Sequence, residues 1–283
     1  MDFVDTEMRR AGLIGAGILA SRSPSMHMNE AKALGLQLNY ELFDLDQIAG
    51  GLQSLRRILD DVERDGYLGV NITHPCKQIV IDFLDVLAAD VAVIGAVNTV
   101  VFKGGKRYGH NTDWSGFATS FDRSLHGVAM NNVLQVGAGG AGAATSYALL
   151  KMGAGQVVLY DIDKSRAELL AQKYAVHFGR NRITATADLA EAMAAADGIV
   201  NTTPVGMTKY PGTPVPVAAL RQTQWVADIV YFPLETELLR EARALGCKTL
   251  DGGGMAVFQA AEALRLFTGR APDADRMLRA FAA

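Results

Sequence analysis

The chain has 283 residues, of which 49% are hydrophobic and 20% charged, and its formal net charge is -3. This composition excludes a disordered chain, the length favours two domains, and the acidic balance argues against a nucleic-acid partner. The chain has no uninterrupted run of about 18 apolar residues, so no membrane-spanning helix is expected. Residues 1–10 carry acids and lack the apolar stretch of a signal peptide. The two cysteines and five histidines have no metal-ligand spacing, so we expect no metal and a reducing, cytoplasmic environment.

Short apolar runs alternate with helix-like segments in the first part of the chain. The predicted strands cover residues 11–17, 39–44, 67–72, 96–102 and 107–110. The predicted helices cover residues 28–34, 47–59 and 112–125, with Ser23 or Ser25 as the candidate cap of the first. Pro75 is expected to open a further helix that runs to residue 86. This alternation predicts an α/β protein with parallel, doubly wound sheets.

The same alternation continues from residue 133. Strands are predicted over residues 157–160, 183–186, 225–231 and 247–250, and helices over residues 143–152, 165–178, 189–195 and 235–245. A glycine run, Gly252 to Gly254, is expected to form a flexible turn at which the domains could hinge. The last two helices, 255–268 and 272–282, have no place in a completed six-stranded sheet. We therefore expect them to return to the first domain.

A glycine-rich loop dominates the second half. Residues 134–161 read LQVGAGGAGAATSYALLKMGAGQVVLYD, with Gly137, Gly139 and Gly142 in G-x-G-x-x-G register. A strand, a tight turn, a helix and a second strand ending in Asp161 are typical of a dinucleotide-binding unit. The glycines would admit a pyrophosphate at the helix N-terminus, and Asp161 would accept hydrogen bonds from an adenosine ribose. The alternative is a packing turn that binds no nucleotide.

Polar residues cluster at the ends of two predicted strands in the first half. One group is Asn71 to Lys77, and the other is Asn98 together with Gly109 to Asp113. Ligands of open α/β sheets bind beyond the carboxyl ends of strands, and a lysine with an aspartate can form a proton-transfer pair. The alternative is a surface lysine and a helix-capping Asp113.

Other residues offer weaker candidates. His74 and His110 are either acid–base groups or structural. Ser21 and Ser23 lie two residues apart, so an extended backbone would point both hydroxyls toward a small carboxylate or polyol. The alternative for the serines is an ordinary turn rich in serine and proline.

Taken together, these motifs resemble the shikimate dehydrogenase family, including its quinate/shikimate dehydrogenases, over nearly the whole chain. The motifs that carry the resemblance are Ser21-Arg-Ser23-Pro, Gly69-Val-Asn-Ile-Thr-His-Pro-Cys-Lys77, Gly95-Ala-Val-Asn98-Thr, Gly109-His-Asn-Thr-Asp113-Trp-Ser-Gly, the glycine loop, Asn201-Thr-Thr-Pro-Val-Gly-Met207 and Asp251-Gly-Gly-Gly-Met255 with Gln259-Ala-Ala.

The resemblance implies a role for each of several residues. Lys77 and Asp113 would be the catalytic pair, and both would also touch the substrate. The other substrate-binding residues would be Ser21 and Ser23 for the carboxylate, Thr73, Asn98 and Gln259 for ring hydroxyls, and Tyr231 from the cofactor side. A proton would leave the substrate C3 hydroxyl toward Lys77 while a hydride passes to nicotinamide.

The resemblance also implies a dinucleotide site. Its residues would be Gly137, Gly139, Gly140, Ala141, Gly142, Asp161, Arg166, Thr203, Pro204, Val205, Gly206, Met207, Ile229, Gly252 and Met255. The NADP-using members resemble one another in an Asn-Arg-Thr stretch, which here is Asp161-Ile162-Asp163. Two acids would repel a 2′-phosphate, so NAD is expected and NADP is the less favoured cofactor. Arg166 is expected to stack near the adenine, with attraction of a phosphate as the alternative.

These points together predict a two-domain enzyme. Residues 1–112, completed by 256–283, would be the substrate and catalytic domain, and residues 113–255 the NAD-binding Rossmann domain. The expected reaction interconverts shikimate and 3-dehydroshikimate, or quinate and 3-dehydroquinate, in a monomer or homodimer without nucleic-acid or membrane partners. Quinate-preferring members show Ser-x-Thr where this chain has Ser21-Arg-Ser23, so both substrates stay candidates. The alternatives are an NADP-dependent biosynthetic shikimate dehydrogenase and a non-catalytic nucleotide-sensing module.

Overall fold

The structure, a computed structural model, describes residues 7–282. Residues 1–6, which carry part of the signal-peptide prediction, and residue 283 lie outside the described range. The chain forms two compact units. The first runs through Thr112 and resumes at Val257, and the second is Asp113–Ala256. Within residues 7–282, no helix is long and apolar enough to cross a bilayer, and no cluster of His, Cys, Asp or Glu could hold a metal ion.

The first unit is built on a six-stranded sheet of order β2-β1-β3-β5-β6-β4. Its elements are β1 (Met8–Gly15), α1 (Ser23–Ala33), β2 (Gln37–Asp44), α2 (Leu55–Arg64), β3 (Gly69–Ile72), β4 (Val86–Leu87), α3 (Ala89–Ile94), β5 (Thr99–Lys103) and β6 (Lys106–His110). Strand β1 is parallel to β2 and β3, but β5 is antiparallel to both β3 and β6. The prediction of wholly parallel sheets is therefore wrong for this unit, because β5 and β6 are joined by a tight turn that can only produce an antiparallel pair.

Three local predictions in this unit are wrong. Helix α2 begins at Leu55 and not at residue 47, because Gly50 and Gly51 have φ values of 90° and 49° that no α-helix contains. Pro75 opens no long helix, since the carbonyl of Lys77 pairs with the amide of Val97 (2.8 Å) instead of continuing a helical ladder. A short 3₁₀ turn, Ile79–Phe83, follows.

The third error concerns the cap of α1. Arg22 occupies the N-cap position, and neither Ser23 nor Ser25 caps the helix. The Ser25 hydroxyl instead donates to the Arg22 carbonyl at 2.9 Å.

The first sheet is covered on both faces. On one face, Ile14, Ile72 and Val100 pack with Leu55 and Leu59 of α2. On the other face, the contacts come from α9 (Gly252–Thr268), followed in the chain by α10 (Ala274–Ala282). Buried residues of β1, β2 and α9 form this second cluster, namely Ala11, Leu13, Tyr40, Ala263 and Phe267. The return of the C-terminal helices to the first unit is confirmed.

The second unit contains a wholly parallel sheet of order β12-β11-β10-β7-β8-β9. Its elements are α4 (Thr112–Leu125), β7 (Asn132–Val136), α5 (Gly140–Lys151), β8 (Gln156–Tyr160), α6 (Lys164–Phe178), β9 (Ile183–Ala185), α7 (Leu189–Ala195), β10 (Gly198–Asn201), β11 (Trp225–Asp228), α8 (Glu237–Leu245) and β12 (Lys248–Leu250). In chain order this is the 3-2-1-4-5-6 arrangement of a doubly wound dinucleotide fold. The predicted α/β class with a Rossmann unit is confirmed.

The glycine run at the end of the second unit is not a flexible turn. Gly252, Gly253 and Gly254 form the first turn of α9, and the Asp251 carboxylate accepts a hydrogen bond from the Gly253 amide at 2.9 Å. A side chain at Gly252 would collide with the Ile229 carbonyl. Only glycine leaves room for this close approach of two backbones. The prediction of a flexible turn here is therefore wrong.

Candidate active site

Among the predicted substrate residues, Asn98 is held in place by hydrogen bonds to its side chain. It lies just before β5, is 3% exposed, and its Nδ2 donates to the Thr112 hydroxyl at 2.9 Å. Its Oδ1 accepts from the Thr112 amide at 2.7 Å. Gln259 of α9 lies 3.5 Å away, Nδ2 to Oε1. The first unit thus brings together two polar side chains that are 161 positions apart in sequence.

A second group of buried polar residues forms a hydrogen-bond network with Asn98. Asn71, at the end of β3, donates to the Asn98 carbonyl (3.2 Å) and to the Thr99 hydroxyl (3.0 Å). Its Oδ1 accepts from the Tyr40 hydroxyl at 2.8 Å. The Tyr40 ring is stacked on His27, with centroids 4.5 Å apart. The Thr99 hydroxyl in turn donates to Asn98 Oδ1 at 3.0 Å, so this buried network also reaches the Asn98 side chain.

Sequence reasoning gave Tyr40 and His27 no role. The alternation of Leu38, Tyr40 and Leu42 along β2 was the available signal, because it turns Tyr40 toward the core. Burial raises the pKa of Tyr40 well above its usual range, while the Ser23 hydroxyl acts in the opposite direction. Burial lowers the pKa of His27 to about 3, so its ring is neutral at physiological pH.

The two predicted carboxylate-binding serines lie side by side at the start of α1. The Ser21 hydroxyl donates to the Ser23 hydroxyl at 3.1 Å, and the Ser23 amide donates to Ser21 Oγ at 3.2 Å. Both residues are half-buried, so both hydroxyls can meet a ligand. The pair therefore has the spacing to bind the two oxygens of one carboxylate.

Thr73 and Lys77 follow β3 in a turn and are half-buried. The Thr73 amide donates to the Ile14 carbonyl at 2.9 Å, which ties the turn to the central strand. The Lys77 carbonyl accepts from Val97, the neighbour of Asn98, so the lysine and Asn98 sit on adjacent backbone segments. Of the other acid–base candidates, His74 is exposed, and burial lowers the pKa of the half-buried His110.

Asp113 and Tyr231 belong to the second unit. Asp113 is buried, at 6% exposure, and directly follows Thr112, whose hydroxyl and amide bind Asn98. Helix α4 starts at Thr112, so Asp113 lies in its first turn. Tyr231 follows β11 with 47% of its surface exposed.

The glycine loop has the geometry of an anion cradle. Gly137 has φ of 102°, a conformation that side chains rarely adopt, and a Cβ on Gly142 would lie 2.5 Å from the Gly137 carbonyl oxygen. A Cβ on Gly139, by contrast, would point into open space. Helix α5 begins at Gly140, so the amides of its first turn, including that of Ala141, surround this space. The bare backbone at Gly139 fits a pyrophosphate group.

Asp161 lies at the end of β8, beside that loop. Its Oδ2 accepts from the Ala138 amide at 2.8 Å and its Oδ1 from the Asp163 amide at 2.9 Å. A carboxylate oxygen accepts two hydrogen bonds, so each oxygen keeps one lone pair for a ligand. The arrangement fits a ribose with two adjacent hydroxyls.

The neighbours of Asp161 are occupied differently. Asp163 caps α6 through the Ser165 amide (3.1 Å), and it forms an ion pair with Arg166 at 3.3 Å. Its hydrogen bond with Ser165 lowers the pKa of Asp163, despite some desolvation. Ile162 between the two acids is 98% exposed. The Asp161 carboxylate therefore carries the uncompensated negative charge of this turn, because Asp163 and Arg166 neutralise each other.

A buried Asn–Asp pair fixes the second set of predicted cofactor residues. Asn201 donates to Asp228 Oδ1 at 2.9 Å and to the Val205 carbonyl at 2.9 Å. Asp228 Oδ2 accepts from the Thr236 hydroxyl at 2.8 Å, and burial raises the pKa of Asp228 to about 6.

This pair positions the loops after β10 and β11. The residues that these loops and the start of α9 contribute are Thr203, Pro204, Val205, Gly206, Met207, Ile229, Gly252 and Met255. They follow strands at the carboxyl edge, and β10 neighbours β7, where the strand order reverses and ligands of doubly wound folds bind.

The fold and the glycine loop define a dinucleotide-binding α/β protein with a second α/β unit. A family model described as "Shikimate dehydrogenase substrate binding domain" matches residues 13–100, and one described as "Shikimate 5'-dehydrogenase C-terminal domain" matches residues 252–280. The chain is 52% identical to a "Shikimate dehydrogenase (NADP(+))" of Streptomyces avermitilis, covering 94% of this chain and 92% of that relative.

One further relative is named for NAD, and one similar solved structure is a complex with NAD. A "Quinate/shikimate dehydrogenase (NAD(+))" of Corynebacterium efficiens is 46% identical, with 95% of this chain and 96% of that relative covered. The solved structure of quinate dehydrogenase from Corynebacterium glutamicum in complex with NAD superposes with a TM-score of 0.93 at 44% identity, over 98% of this chain and 99% of that one. This chain belongs to the shikimate dehydrogenase family, as the sequence motifs predict.

Proposed function

We propose that the protein is an NAD-dependent dehydrogenase that oxidises the C3 hydroxyl of shikimate, quinate or both. The similar proteins are divided on the cofactor, since one relative at 52% identity is named for NADP and one at 46% for NAD. The cofactor therefore has to be inferred from the residues of this chain. The observation that carries the proposal is the Asp161 carboxylate, which ends β8 beside the glycine loop with one lone pair on each oxygen unused by the backbone.

Charge and geometry both favour NAD at this position. The two adjacent hydroxyls of an NAD ribose can donate to the two oxygens of Asp161, whereas the 2′-phosphate of NADP would bring negative charge against it. Arg166 could attract such a phosphate, but it is paired with Asp163 at 3.3 Å. Moving Arg166 to the phosphate would leave Asp163 uncompensated beside the same anion. The discrimination therefore comes from both acids.

The second candidate is an NADP-dependent shikimate dehydrogenase, which the 52% identical relative favours. Initial rates with shikimate and quinate, each with NAD and NADP, separate the two. We expect NAD to be the better cofactor with either substrate. Higher turnover per KM with NADP would contradict the proposal and support the second candidate.

A variant series makes this test specific to the proposed site. Asp161→Ala should raise the KM for NAD and reduce the discrimination against NADP, because the ribose acceptor and the repulsive charge are both lost. The triple variant Asp161→Asn, Ile162→Arg, Asp163→Thr should shift preference toward NADP. Asp188→Asn is the matched control: Asp188 caps α7 in the same unit, so it removes one negative charge far from the glycine loop in sequence.

The substrate half of the proposal uses the first unit. Ser21 and Ser23 bind the carboxylate, and their 3.1 Å separation supports this. Thr73, Asn98 and Gln259 bind ring hydroxyls, supported by the 3.5 Å approach of Asn98 to Gln259. Tyr231, exposed after β11, completes the set from the cofactor-binding unit. We assign substrate binding to the unit of residues 1–112 with 256–283, and NAD binding to residues 113–255.

The chemistry is assigned to Lys77 and Asp113. Bound NAD supplies a hydride acceptor. The amine of Lys77 takes the proton of the C3 hydroxyl and becomes an ammonium, and the positive charge that it gains stabilises the alkoxide character that develops on that oxygen. Asp113 accepts a hydrogen bond from a substrate hydroxyl and orients the lysine ammonium. A nucleotide-sensing module would need neither residue, and measurable NADH formation excludes such a module.

We further propose that the enzyme works in the cytoplasm as a monomer or homodimer. The two cysteines, Cys76 and Cys247, are buried thiols, which is compatible with a reducing compartment. Light scattering of the purified protein with and without NAD would give the oligomeric state. A larger assembly would contradict this part of the proposal.

A further inference from the structure

Arg22 stands between the two serines of the proposed carboxylate site and contacts the last turn of the chain. Its Nη1 donates to the Phe281 carbonyl oxygen at 2.8 Å, and its guanidinium lies over the Phe281 ring, 4.9 Å from the centroid. We propose that Arg22 is a positioning residue, through which α10 holds Ser21 and Ser23 in the geometry that binds the substrate carboxylate. The inference rests on the proposed function of those serines.

The backbone of Arg22 connects the two serines to the start of α1. Arg22 is the N-cap of α1, and its carbonyl accepts from the Met26 amide (3.1 Å) and the Ser25 hydroxyl (2.9 Å). On the other side, the Ser21 amide donates to the Ile18 carbonyl at 2.9 Å. These bonds lie within the turn and α1, whereas the contact with Phe281 spans 259 positions of sequence and ties the turn to α10.

The other end of the tether is firmly attached. Glu30 of α1 is 2% exposed and accepts hydrogen bonds from the Asp273 amide (2.7 Å) and from Arg276 Nε (2.8 Å) and Nη2 (2.6 Å). Met277 and Phe281 are buried at 3% and 5% exposure. The Glu30 side chain is 1% exposed and the Arg276 side chain 40%, so opening this bidentate pair would leave a buried carboxylate without its cation. Helix α10 is therefore a fixed support relative to α1.

Packing alone does not duplicate this support at the end of α1. A pocket of about 110 Å³ lies between α1 and α10 there, lined by Arg22, Met26, Met277 and Phe281 among others, so apolar side chains do not fill the space beside Arg22. The hydrogen bond and the cation–π contact of Arg22 bridge this gap.

The test compares Arg22→Ala, Arg22→Lys and Ser21→Ala in the full-length enzyme with saturating NAD. Arg279→Ala is the matched control, because Arg279 is an exposed cation in the same last turn of α10. For Arg22→Ala we expect the KM for shikimate to rise about 5- to 20-fold, the size of a charge-assisted hydrogen bond weakened by solvent. The kcat, the KM for NAD and the thermal midpoint should stay near wild type. Arg22→Lys should recover part of the loss, since an ammonium can still donate to the Phe281 carbonyl.

Methyl shikimate, in which the carboxylate is esterified, links the effect to the carboxylate. The penalty of Arg22→Ala should shrink with this substrate, as should that of Ser21→Ala. An equal penalty on acid and ester, an unchanged KM for shikimate, or a loss of kcat alone would each overturn the inference. If Ser21→Ala raises KM and Arg22→Ala does not, the tether is wrong and the role of the serines stands. If Ser21→Ala has no effect, the proposed carboxylate site fails and the inference fails with it.

Discussion

Lys77 is the single residue on which the proposed chemistry depends most. Lys77→Ala should lower kcat about 10²- to 10⁴-fold, the usual contribution of a general acid–base group, with a smaller change in KM. The physical reason is that the lysine acts mainly on the charge that develops in the transition state. Steady-state kinetics with saturating NAD measure both parameters. His74→Ala is the control, because His74 lies in the same turn and is exposed. If the Lys77 variant kept normal turnover, His74 and His110 would become the candidates for proton transfer.

Asp113 should behave differently from Lys77 because its proposed role includes binding of a substrate hydroxyl. Asp113→Asn is expected to lower kcat and to raise the KM for shikimate, since an amide can accept a hydrogen bond but carries no charge for the ammonium. The double variant should lose less than the product of the two single losses, because the residues act as a unit. Strictly multiplicative losses would argue that the two side chains act separately.

Asp228 makes a pH-dependent contribution to stability. Burial raises its pKa from 3.8 to about 6, so the folded protein holds the proton more tightly than the unfolded chain. The resulting stabilisation is fully present below about pH 3.8 and is lost as pH rises through about 6. At 1.36 kcal/mol per pKa unit, the loss is at most about 3 kcal/mol.

The variant Asp228→Asn isolates this effect. Its amide oxygen can still accept from Asn201 and Val230, and its amide nitrogen can donate to the Thr236 hydroxyl. The stability of the variant relative to wild type should therefore increase between pH 4 and pH 7 in urea unfolding. A difference that does not depend on pH would mean that Asp228 does not titrate in this range.

At the scale of elements, the turn between β7 and α5 allows a prediction with an internal control. A Cβ at Gly142 would lie 2.5 Å from the Gly137 carbonyl, while a Cβ at Gly139 would meet nothing within 4 Å. Gly142→Ala should cost about 1–3 kcal/mol of stability through overpacking, partly offset by better helix propensity. Gly139→Ala should change stability by less than about 0.5 kcal/mol.

The binding of NAD should separate the two glycines further. Gly139→Ala should weaken NAD binding although the protein stays stable, because the methyl group occupies the space proposed for the pyrophosphate. Calorimetric titration and urea unfolding of both variants give the two quantities. Unchanged NAD affinity in Gly139→Ala would place the pyrophosphate elsewhere.

Much of this element structure was predictable because the strands of the second unit are short, buried apolar runs between turn residues. The helices at residues 112–125 and 189–195 have the predicted bounds. The errors arise where hydrogen bonds between distant segments or backbone geometry override local pattern. Gly50 and Gly51 delay α2, the pairing of Lys77 with Val97 prevents a helix after Pro75, and close packing on Ile229 makes Gly252 helical.

The residues of the candidate site also divide into those that the sequence predicted and those that it did not. Its place at the end of a predicted strand identified Asn98, and the family resemblance identified Gln259, which the structure brings within 3.5 Å of Asn98. The sequence did not identify Tyr40 or the tether of Arg22, because these act through partners 31 and 259 positions away. Contacts of such sequence separation leave no local pattern in a single chain.

At the scale of the whole molecule, each proposed ligand depends mainly on one unit. The proposed substrate residues Ser21, Ser23, Thr73, Asn98 and Gln259 lie in the first unit, together with Lys77. The glycine loop, Asp161 and the loops after β10 and β11 lie in the second. Asp113 and Tyr231, which are also proposed to bind substrate, lie in the second unit. The units are joined at the start of α4 and within α9, both of which are helical at the boundary.

This division predicts where each ligand should slow hydrogen exchange. At a concentration 100 times its Kd, NAD stabilises the states that bind it by about 2.7 kcal/mol. Amide exchange should then be roughly 100-fold slower wherever the opening motion requires release of the ligand. With NAD alone, the slowing should be largest in residues 134–142 and 201–207. With shikimate alone, it should be largest in residues 69–77 and 98–112, and both ligands should act on the first turn of α4. Exchange followed by mass spectrometry on the full chain measures this, with NAD added to Gly139→Ala as the control that loses protection. Protection by NAD alone concentrated in residues 69–77 would contradict the assignment of the two ligands to the two units.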